Sequence, residues 1–190
     1  MAAPRILAGS AKGRALRTPP HGTRPSPARL RAALFDALAF EPRGLFLDLY
    51  AGSGAVGLEA ASRGWQVVLV ERSAAAARLL RANARACDLD VRVEQGDALA
   101  LAAALAGSVD VAFADPPYDR ELNHTFQALL DLALVRPGGR YVFQHPSRLV
   151  PRLQVEAGEA LIDTRRYGSN ALSYVRVANG QPAAGGVPLG

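Results

Sequence analysis

Residues 47–57 have the sequence Leu47-Asp48-Leu49-Tyr50-Ala51-Gly52-Ser53-Gly54-Ala55-Val56-Gly57, an apolar strand end that runs into a glycine-rich turn. Gly52 and Gly54 allow the backbone to approach a ligand closely, because a side chain at either position would collide with it. The Gly-x-Gly-x-x-Gly spacing also matches the dinucleotide fingerprint, so the turn alone does not identify a cofactor. A tight strand-to-helix turn without a ligand is the alternative.

Strand and helix patterns alternate along the chain around this turn. Apolar runs indicate strands at 45–50, 66–70, 91–94, 109–114 and 140–144, with helical patterns at about 55–63, 73–86, 97–106 and 121–135. This alternation predicts an α/β fold with a parallel sheet covered by helices on both faces. Pro137-Gly138-Gly139 is expected to break the chain before the fifth strand, and strands at about 161–167 and 172–178 are expected to close the sheet.

The N-terminal part of the chain carries the excess positive charge. Residues 1–43 hold eight basic and two acidic side chains, and residues 44–190 hold 14 basic and 15 acidic ones, which gives the net charge of +5. A basic segment joined to a near-neutral domain predicts a polyanion contact, with a solvated basic terminus as the alternative. We expect residues 1–25 to form a basic hairpin arm, 26–178 the α/β domain and 179–190 a flexible tail.

A helix is predicted directly after the basic arm. Ser26-Pro27 has the residue types of an N-cap and a first helical position. Leu30, Leu34 and Leu38 then recur at helical spacing, so one face is apolar. Arg29 and Arg31 are predicted to lie off that face.

The composition excludes several classes of protein. No apolar run reaches the roughly 18 residues of a membrane span, and the first residues lack the apolar length of a secretory signal. We therefore expect a cytoplasmic protein, and a monomer by default. Cys87 is the only cysteine, which excludes an intrachain disulfide. His21, His124 and His145 lack ligand spacing and are predicted to be surface or loop residues, so no metal site is expected.

Acidic residues follow three of the predicted strands and favour one cofactor. Asp48 ends the first strand, Glu71 ends the second, and Asp97 follows the third. In an open parallel sheet these positions converge on one crevice. Asp48 can engage an ammonium group, Glu71 two ribose hydroxyls, and Asp97 an adenine amine. The set favours S-adenosyl-L-methionine over NAD, because a carboxylate near the first glycine serves a pyrophosphate poorly.

An Asp-Pro-Pro-Tyr loop follows the fourth predicted strand. Pro116 and Pro117 hold the chain extended between Asp115 and Tyr118. The Asp115 carboxylate and the Pro116 carbonyl can accept both hydrogens of an exocyclic amine on a base, and a fixed carboxylate stabilises the positive charge that develops on nitrogen. Tyr118 supplies a ring on which the base stacks. Asp115, Pro116 and Tyr118 are the predicted catalytic residues, and a structural proline-rich turn is the alternative.

These motifs resemble those of the RsmD family of bacterial ribosomal RNA methyltransferases. The similarity includes Arg5-Ile6-Leu7-Ala8-Gly9, Lys12-Gly13-Arg14, Thr23-Arg24-Pro25, Asp48–Gly57 and the Asp-Pro-Pro-Tyr loop. It implies a Rossmann-like class I methyltransferase fold with a seven-stranded, mostly parallel sheet and a small N-terminal β-hairpin appendage. The chain departs from the family pattern at Ala32, where relatives carry glutamate.

The resemblance also implies an activity and its residues. The implied reaction is methylation of the N2 amine of a guanine in 16S rRNA, within an assembled or partly assembled 30S subunit, with S-adenosyl-L-methionine as cofactor. The expected cofactor contacts are Asp48, Ala51, Gly52, Gly54, Glu71, Arg72, Asp97, Ala98 and Asp115. The expected RNA contacts are Arg5, Lys12, Arg14, Arg24 and Arg29.

Four other functions fit parts of the sequence. An adenine-N6 methyltransferase acting on DNA or RNA shares the Asp-Pro-Pro-Tyr loop, so the loop does not distinguish the two bases. A glutamine-modifying protein methyltransferase usually has Asn-Pro-Pro-Tyr there. An NAD-dependent oxidoreductase leaves Asp48 and the loop without a role. A non-catalytic RNA-binding protein has no need of Asp115 and Tyr118.

Overall fold

The computed structural model describes residues 3–19, 26–118, 121–154 and 160–177. In chain order its elements are α1 (Ala28–Ala37), β1 (Leu45–Asp48), α2 (Gly57–Ser62), β2 (Gln66–Glu71), α3 (Ala74–Ala86), β3 (Arg92–Gln95), α4 (Ala98–Ala102), β4 (Val109–Ala114), α5 (Leu122–Asp131), β5 (Val135–Pro146), β6 (Ala160–Tyr167) and β7 (Asn170–Val177). A 3-10 turn at Ala103–Leu105 follows α4. Within the described ranges, no helix is both long and apolar enough to cross a membrane.

The seven strands form one sheet in the order β3-β2-β1-β4-β5-β7-β6. The first five strands of this order pair in parallel, and β7 pairs antiparallel with both β5 and β6. The predicted α/β fold with a seven-stranded, mostly parallel sheet is confirmed. The strand order reverses between β1 and β4, and open α/β sheets bind ligands at the carboxyl ends of the strands on either side of such a point.

Alternating side chains of the central strands contribute to two apolar layers. In β1, Phe46 packs on the face covered by α1 and α3, whereas Leu47 packs on the face covered by α4 and α5. Both side chains are fully buried, as expected for a strand covered on both faces. By the same alternation, Asp48, the last residue of β1, lies on the same face as Phe46. Its carboxylate accepts a hydrogen bond from the N–H of Gly57 at the start of α2.

Residues 3–19 pack on the face of the sheet that α1, α2 and α3 cover, and they contribute to the apolar core there. Ile6, Ala11 and Leu16 are buried there, and one antiparallel bridge joins Arg5 to Ala15. The carboxylate of Glu59, which is itself fully buried in α2, accepts hydrogen bonds from the backbone N–H groups of residues 7 and 8 at 2.6 and 3.0 Å. Residues 3–19, which are called the basic segment below, are therefore held in place by the burial of their apolar side chains and by hydrogen bonds to the buried Glu59 carboxylate.

Strand β5 runs through the Pro137-Gly138-Gly139 segment, so the prediction that this segment breaks the chain before the strand is wrong. Val109 pairs with Val135, but Val111 pairs with Arg140, which leaves four residues of β5 opposite one residue of β4. Gly138 adopts φ +83° in this bulge. Prolines and glycines are tolerated at bulges, because the unpaired residues need no ladder hydrogen bond.

Two polar side chains predicted to be peripheral are instead buried. Arg31 is 2% exposed and donates to the carbonyls of Ser26 and Arg5 at 2.9 and 2.7 Å, so it does not lie off the buried face of α1. His145 in β5 is fully buried between the Ser173 hydroxyl and a backbone carbonyl, and burial lowers its pKa. Of the other two histidines, one is exposed at position 124 and position 21 lies outside the described residues.

Candidate active site

Four acidic side chains stand at the carboxyl ends of neighbouring strands. Asp48 ends β1 and Glu71 ends β2, while Asp97 and Asp115 follow β3 and β4 within two residues. Because the strand order is β3-β2-β1-β4, these residues form a row along one edge of the sheet. Asp115 and Glu71 are close enough for their charges to raise the pKa of Asp48. The structure therefore brings the predicted acids together at the point where the strand order reverses.

The acids order the glycine-rich turn through its backbone. The N–H of Gly52 donates to Glu71 Oε2 at 2.8 Å, and the N–H of Gly57 donates to Asp48 Oδ2 at 3.0 Å. The second oxygen of Glu71 accepts from the N–H of Ser73 at 2.7 Å. Both carboxylates are therefore held in position by backbone groups of the protein itself.

The first two glycines of the turn are required for different reasons. Gly52 adopts φ +55°, and a Cβ there would meet no atom of the described residues within 4 Å. Gly54 adopts φ +89°, but a Cβ there would overlap Leu80 and lie 2.8 Å from Leu58 Cδ1. Close packing of α2 against α3 therefore favours glycine at position 54 independently of any ligand, and the cofactor contact of Gly54 stays a prediction.

Asp48 has an unusual environment for a carboxylate. Its side chain is 1% exposed, and burial raises its pKa to about 7, while the N–H groups of Gly57 and Tyr50 act in the opposite direction. Within the described part of the chain, Oδ1 has no hydrogen bond of normal geometry. A buried acceptor that lacks a full set of donors is costly, and a cationic group satisfies it best. Asp48 therefore suits an ammonium or other cation.

The remaining predicted cofactor residues frame this edge. Asp97 caps α4, because its Oδ1 accepts from the N–H groups of residues 99 and 100 at 3.1 Å, and its side chain is exposed. Ala51 and Ala98 are buried, and Arg72 is exposed. The cap is the ordinary structural role of an aspartate at a helix start, and it orients the carboxylate at the edge of the sheet.

The Asp-Pro-Pro-Tyr loop extends from the end of β4. Asp115 is half-buried and Pro116 is buried, whereas the Tyr118 ring is 49% exposed. Burial raises the pKa of Asp115 to about 7, and the hydroxyl groups of Ser26 and Tyr118 act in the opposite direction. Burial also raises the pKa of Tyr118 to about 12, so its hydroxyl remains protonated. The loop thus presents a carboxylate beside an accessible aromatic ring.

Three side chains that sequence analysis did not assign to the site contact this loop. Ser26 Oγ lies 3.4 Å from Asp115 Oδ2, and the Tyr118 hydroxyl donates to Asn170 Oδ1 at 3.0 Å. Gln144 Nε2 lies 3.5 Å from the Tyr118 hydroxyl. One signal was present in the sequence, since Gln144 is the polar end of an otherwise apolar strand pattern, Tyr-Val-Phe-Gln.

The predicted RNA-binding side chains lie mainly on the basic segment. Arg5, Lys12, Arg14 and Arg29 are all exposed. One guanidinium nitrogen of Arg5 donates to the carbonyl of residue 13 at 2.8 Å, which steadies the side chain without burying it. Arg24 lies outside the described residues.

A separate cavity of about 270 Å³ opens at the opposite edge of the sheet. Its lining includes Pro42, Trp65 and Asp110, which lie near the amino ends of β1, β2 and β4. The row of acids lies at the carboxyl ends of those strands, so this cavity contributes nothing to the site described above.

Comparison with known proteins gives a consistent result. A family model described as "Conserved hypothetical protein 95" matches residues 4–176. The chain is 31% identical over 150 residues to the protein named "Putative rRNA methyltransferase YlbH" of Bacillus subtilis, a match that covers 74% of this chain and 82% of that protein. It is 36% identical over 122 residues to "Ribosomal RNA small subunit methyltransferase D" of Escherichia coli K12, which covers 62% of each chain.

A solved structure extends the similarity to three dimensions. A hypothetical protein of Thermus thermophilus superposes with a TM-score of 0.79 and 48% sequence identity, which covers 91% of this chain and 99% of that one. The family match spans the glycine-rich turn, the row of acids and the Asp-Pro-Pro-Tyr loop. The chain belongs to the RsmD family of ribosomal RNA methyltransferases, with a Rossmann-like methyltransferase fold.

Proposed function

We propose that this protein transfers a methyl group from S-adenosyl-L-methionine to the exocyclic N2 amine of a guanine in 16S rRNA. One observation carries the proposal: the Asp115 carboxylate is held at the reversal point of the sheet, next to the half-exposed Tyr118 ring and in the electrostatic range of Asp48. A carboxylate beside a stacking surface suits an amine on a planar base. Family membership favours ribosomal RNA as the carrier of that base.

The residues along the edge of the sheet fit the cofactor. Asp48, with its incompletely satisfied buried carboxylate, suits the cationic amino-acid end, and Glu71 and Asp97 can accept from hydroxyl and amine groups in addition to the backbone N–H groups that they already hold. Ala51, Gly52, Gly54, Arg72 and Ala98 complete the proposed binding surface. When bound, S-adenosyl-L-methionine supplies an electrophilic methyl group.

The catalytic work of the protein falls to the Asp-Pro-Pro-Tyr loop. The Asp115 carboxylate and the Pro116 carbonyl accept the two hydrogens of the amine, which favours a pyramidal nitrogen with an available lone pair. The same carboxylate stabilises the positive charge that develops on nitrogen, and it accepts the released proton either directly or through water. Tyr118 stacks on the base and fixes its orientation.

Activity should depend on the ionisation of Asp115. Since burial raises the pKa of this carboxyl to about 7, the free protein holds it mostly protonated at pH 6 and mostly ionised at pH 8. With the cofactor at saturation, so that the ionisation of Asp48, whose pKa is also raised to about 7, does not limit the rate, we expect kcat/KM for rRNA to rise about tenfold per pH unit well below pH 7 and to level off above it. Methyl transfer measured from pH 5.5 to 9 checks this. A flat profile across that range would contradict the role of Asp115.

The basic segment should contribute to RNA affinity through phosphate contacts. We expect a variant with Arg5, Lys12 and Arg14 all replaced by glutamine to bind rRNA more weakly, with a salt slope reduced by about 0.7 for each phosphate that is no longer neutralised. Filter binding from 50 to 300 mM KCl measures the slope. A control with Arg92, Arg152 and Arg165 replaced by glutamine removes the same charge from other exposed positions. Equal slopes for the two variants would show that the segment makes no specific contact.

The identity of the base requires a direct experiment. Small ribosomal subunits that lack the modification are incubated with methyl-labelled cofactor, and the RNA is then digested to nucleosides. We expect the label in N2-methylguanosine, and more of it with 30S particles than with naked 16S rRNA. Label in N6-methyladenosine would favour the alternative, an adenine-N6 methyltransferase. No label in either nucleoside would refute both.

A further inference from the structure

The Ser26 side chain does not cap the helix that it precedes. The N-cap of α1 is Pro27, whose side chain forms no cap hydrogen bond. Instead, Ser26 is 8% exposed, and its single hydroxyl hydrogen is shared between two acceptors, Gln144 Oε1 at 2.9 Å and Asp115 Oδ2 at 3.4 Å. The predicted N-cap role of Ser26 is therefore wrong, because its hydroxyl is directed towards the catalytic loop.

The backbone of Ser26 is fixed independently of this hydroxyl. The buried Arg31 guanidinium donates to the Ser26 carbonyl at 2.9 Å and to the Arg5 carbonyl at 2.7 Å. The N–H of Arg31 also donates to the Pro27 carbonyl at 3.0 Å in the first turn of α1. Because these bonds leave the segment little freedom, the hydroxyl of Ser26 meets the loop at a defined position.

Gln144 continues the contact from Ser26 to the aromatic ring. It is 3% exposed in β5, and its carbonyl oxygen accepts from Ser26. Its amide nitrogen is therefore directed at the Tyr118 hydroxyl, 3.5 Å away. That hydroxyl in turn donates to Asn170 at the start of β7. Ser26 and Gln144 thus form a second polar connection between Asp115 and Tyr118, beside the direct contact of the Tyr118 hydroxyl with the Asp115 carboxyl.

We infer that Ser26 and Gln144 are positioning residues, which hold the Asp115 carboxylate and the Tyr118 ring at the separation needed to grip one base. This inference rests on the proposed function, because it assigns these residues to the same site. A buried amide and a buried hydroxyl are costly unless paired. Here the Gln144 amide and the Ser26 hydroxyl pair with each other. Their contacts to Asp115 and Tyr118 restrain both ends of the Asp-Pro-Pro-Tyr loop, as supporting residues do in preorganised sites.

The contact between Ser26 and Asp115 can be detected through the pKa of the Asp115 carboxyl, once the charged groups around that carboxyl are known. Within the described residues, Asp48 faces it from β1 and Tyr118 from its own loop, whereas Ser26 and Gln144 are uncharged. The Ser26 hydroxyl acts to lower the pKa of Asp115. Loss of that hydroxyl should therefore raise the pKa of the carboxyl, whereas a purely structural role would leave it unchanged.

The first test needs no activity. The protein is labelled with aspartate carrying ¹³C in the side-chain carboxyl, the Asp115 signal is assigned with Asp115→Asn, and its pH titration is followed by NMR. We expect Ser26→Ala to raise the midpoint and Ser26→Thr to restore it. Ser173→Ala, which removes a fully buried hydroxyl elsewhere in the sheet, should leave it unchanged. An unchanged midpoint in Ser26→Ala would overturn the inference.

The second test separates positioning from binding. We expect Ser26→Ala and Gln144→Met each to lower kcat about tenfold, as loss of one hydrogen bond to a charged or aligned group does. KM for the cofactor should change less than about twofold. The double variant should be little worse than either single one, because both act through one polar connection. Additive losses, or losses confined to KM, would overturn the inference.

The two proposals fail in different ways. If the wild-type protein methylates no base but the Ser26→Ala midpoint still rises, the proposed function fails while the contact to Asp115 stands. If the wild-type protein methylates guanine but neither Ser26→Ala nor Gln144→Met changes kcat, the proposed function stands and the positioning role fails. Should Ser26→Ala not fold, Gln144→Met supplies the same comparison.

Discussion

Replacing Asp115 with alanine is expected to lower the turnover number for methyl transfer by about 10²–10³, the usual effect of removing one preorganised electrostatic contact. The carboxylate sits in surroundings that raise its pKa to about 7, so the low polarity that disfavours its charge also strengthens its attraction for a positive charge that develops nearby. Single-turnover assays with saturating cofactor and rRNA measure the effect on the chemical step.

The Asp115→Ala variant should keep most of its affinity for the cofactor product, because Asp115 is only one of the proposed cofactor contacts and the other acids of the row remain. Calorimetry with S-adenosylhomocysteine checks this. Asp163→Ala is the matched control, since it removes a carboxylate that is 59% exposed and paired only at the surface with Arg165. Such pairs contribute little, so its turnover should be normal. Near-normal turnover in Asp115→Ala itself would defeat the assigned role.

Replacing Gly54 with alanine is expected to lower the free energy of unfolding by about 3 kcal/mol or more. Part of this cost comes from φ +89°, which a side chain tolerates only with strain of about 1 kcal/mol or more. The larger part comes from overlap of the new Cβ with Leu80 and its close approach to Leu58, since overpacking typically costs about 1–3 kcal/mol. Urea unfolding at equilibrium measures the loss.

The chain offers two matched controls for the Gly54 substitution. Gly64 has the same φ of +89° but open space around a Cβ, so Gly64→Ala isolates the backbone strain and should cost about 1 kcal/mol. Gly52 has φ +55° and open space as well. Gly52→Ala should lose a similar amount of stability but bind the cofactor markedly more weakly. If Gly54→Ala were no worse than Gly64→Ala, the packing explanation would be wrong.

Local patterns were sufficient to predict the sheet. The positions of β2 and β4 follow from apolar runs, and the acids at 48, 71, 97 and 115 follow from counting residues to the ends of those runs. The convergence of these acids is a property of parallel strands and needs no knowledge of distant contacts. The bulge in β5 was missed, because a glycine–proline segment is equally compatible with a loop and with unpaired strand residues.

Long-range contacts explain the remaining errors about the site. Ser26 and Gln144 are 118 positions apart in sequence, and only the folded chain brings the residue before α1 beside the side chain in β5. Arginine is usually a surface residue, and Arg31 can be buried only because its guanidinium donates to two backbone carbonyls from other parts of the chain. Gly54 has the same local signature as Gly52, and only the position of Leu80 on α3 separates their roles. Pattern alone contains none of this information.

The burial of Ile6, Ala11 and Leu16 has a practical consequence for any truncation of the basic segment. A shortened protein would expose the apolar surface of α1, α2 and α3 that these residues cover. It would also leave the Glu59 carboxylate without its two backbone donors. Such a protein would tend to aggregate, and its failure to bind RNA would report on misfolding. Charge-neutralising substitutions at exposed arginines avoid this confusion. They keep the buried apolar side chains in place and remove only the positive charges that are exposed to RNA.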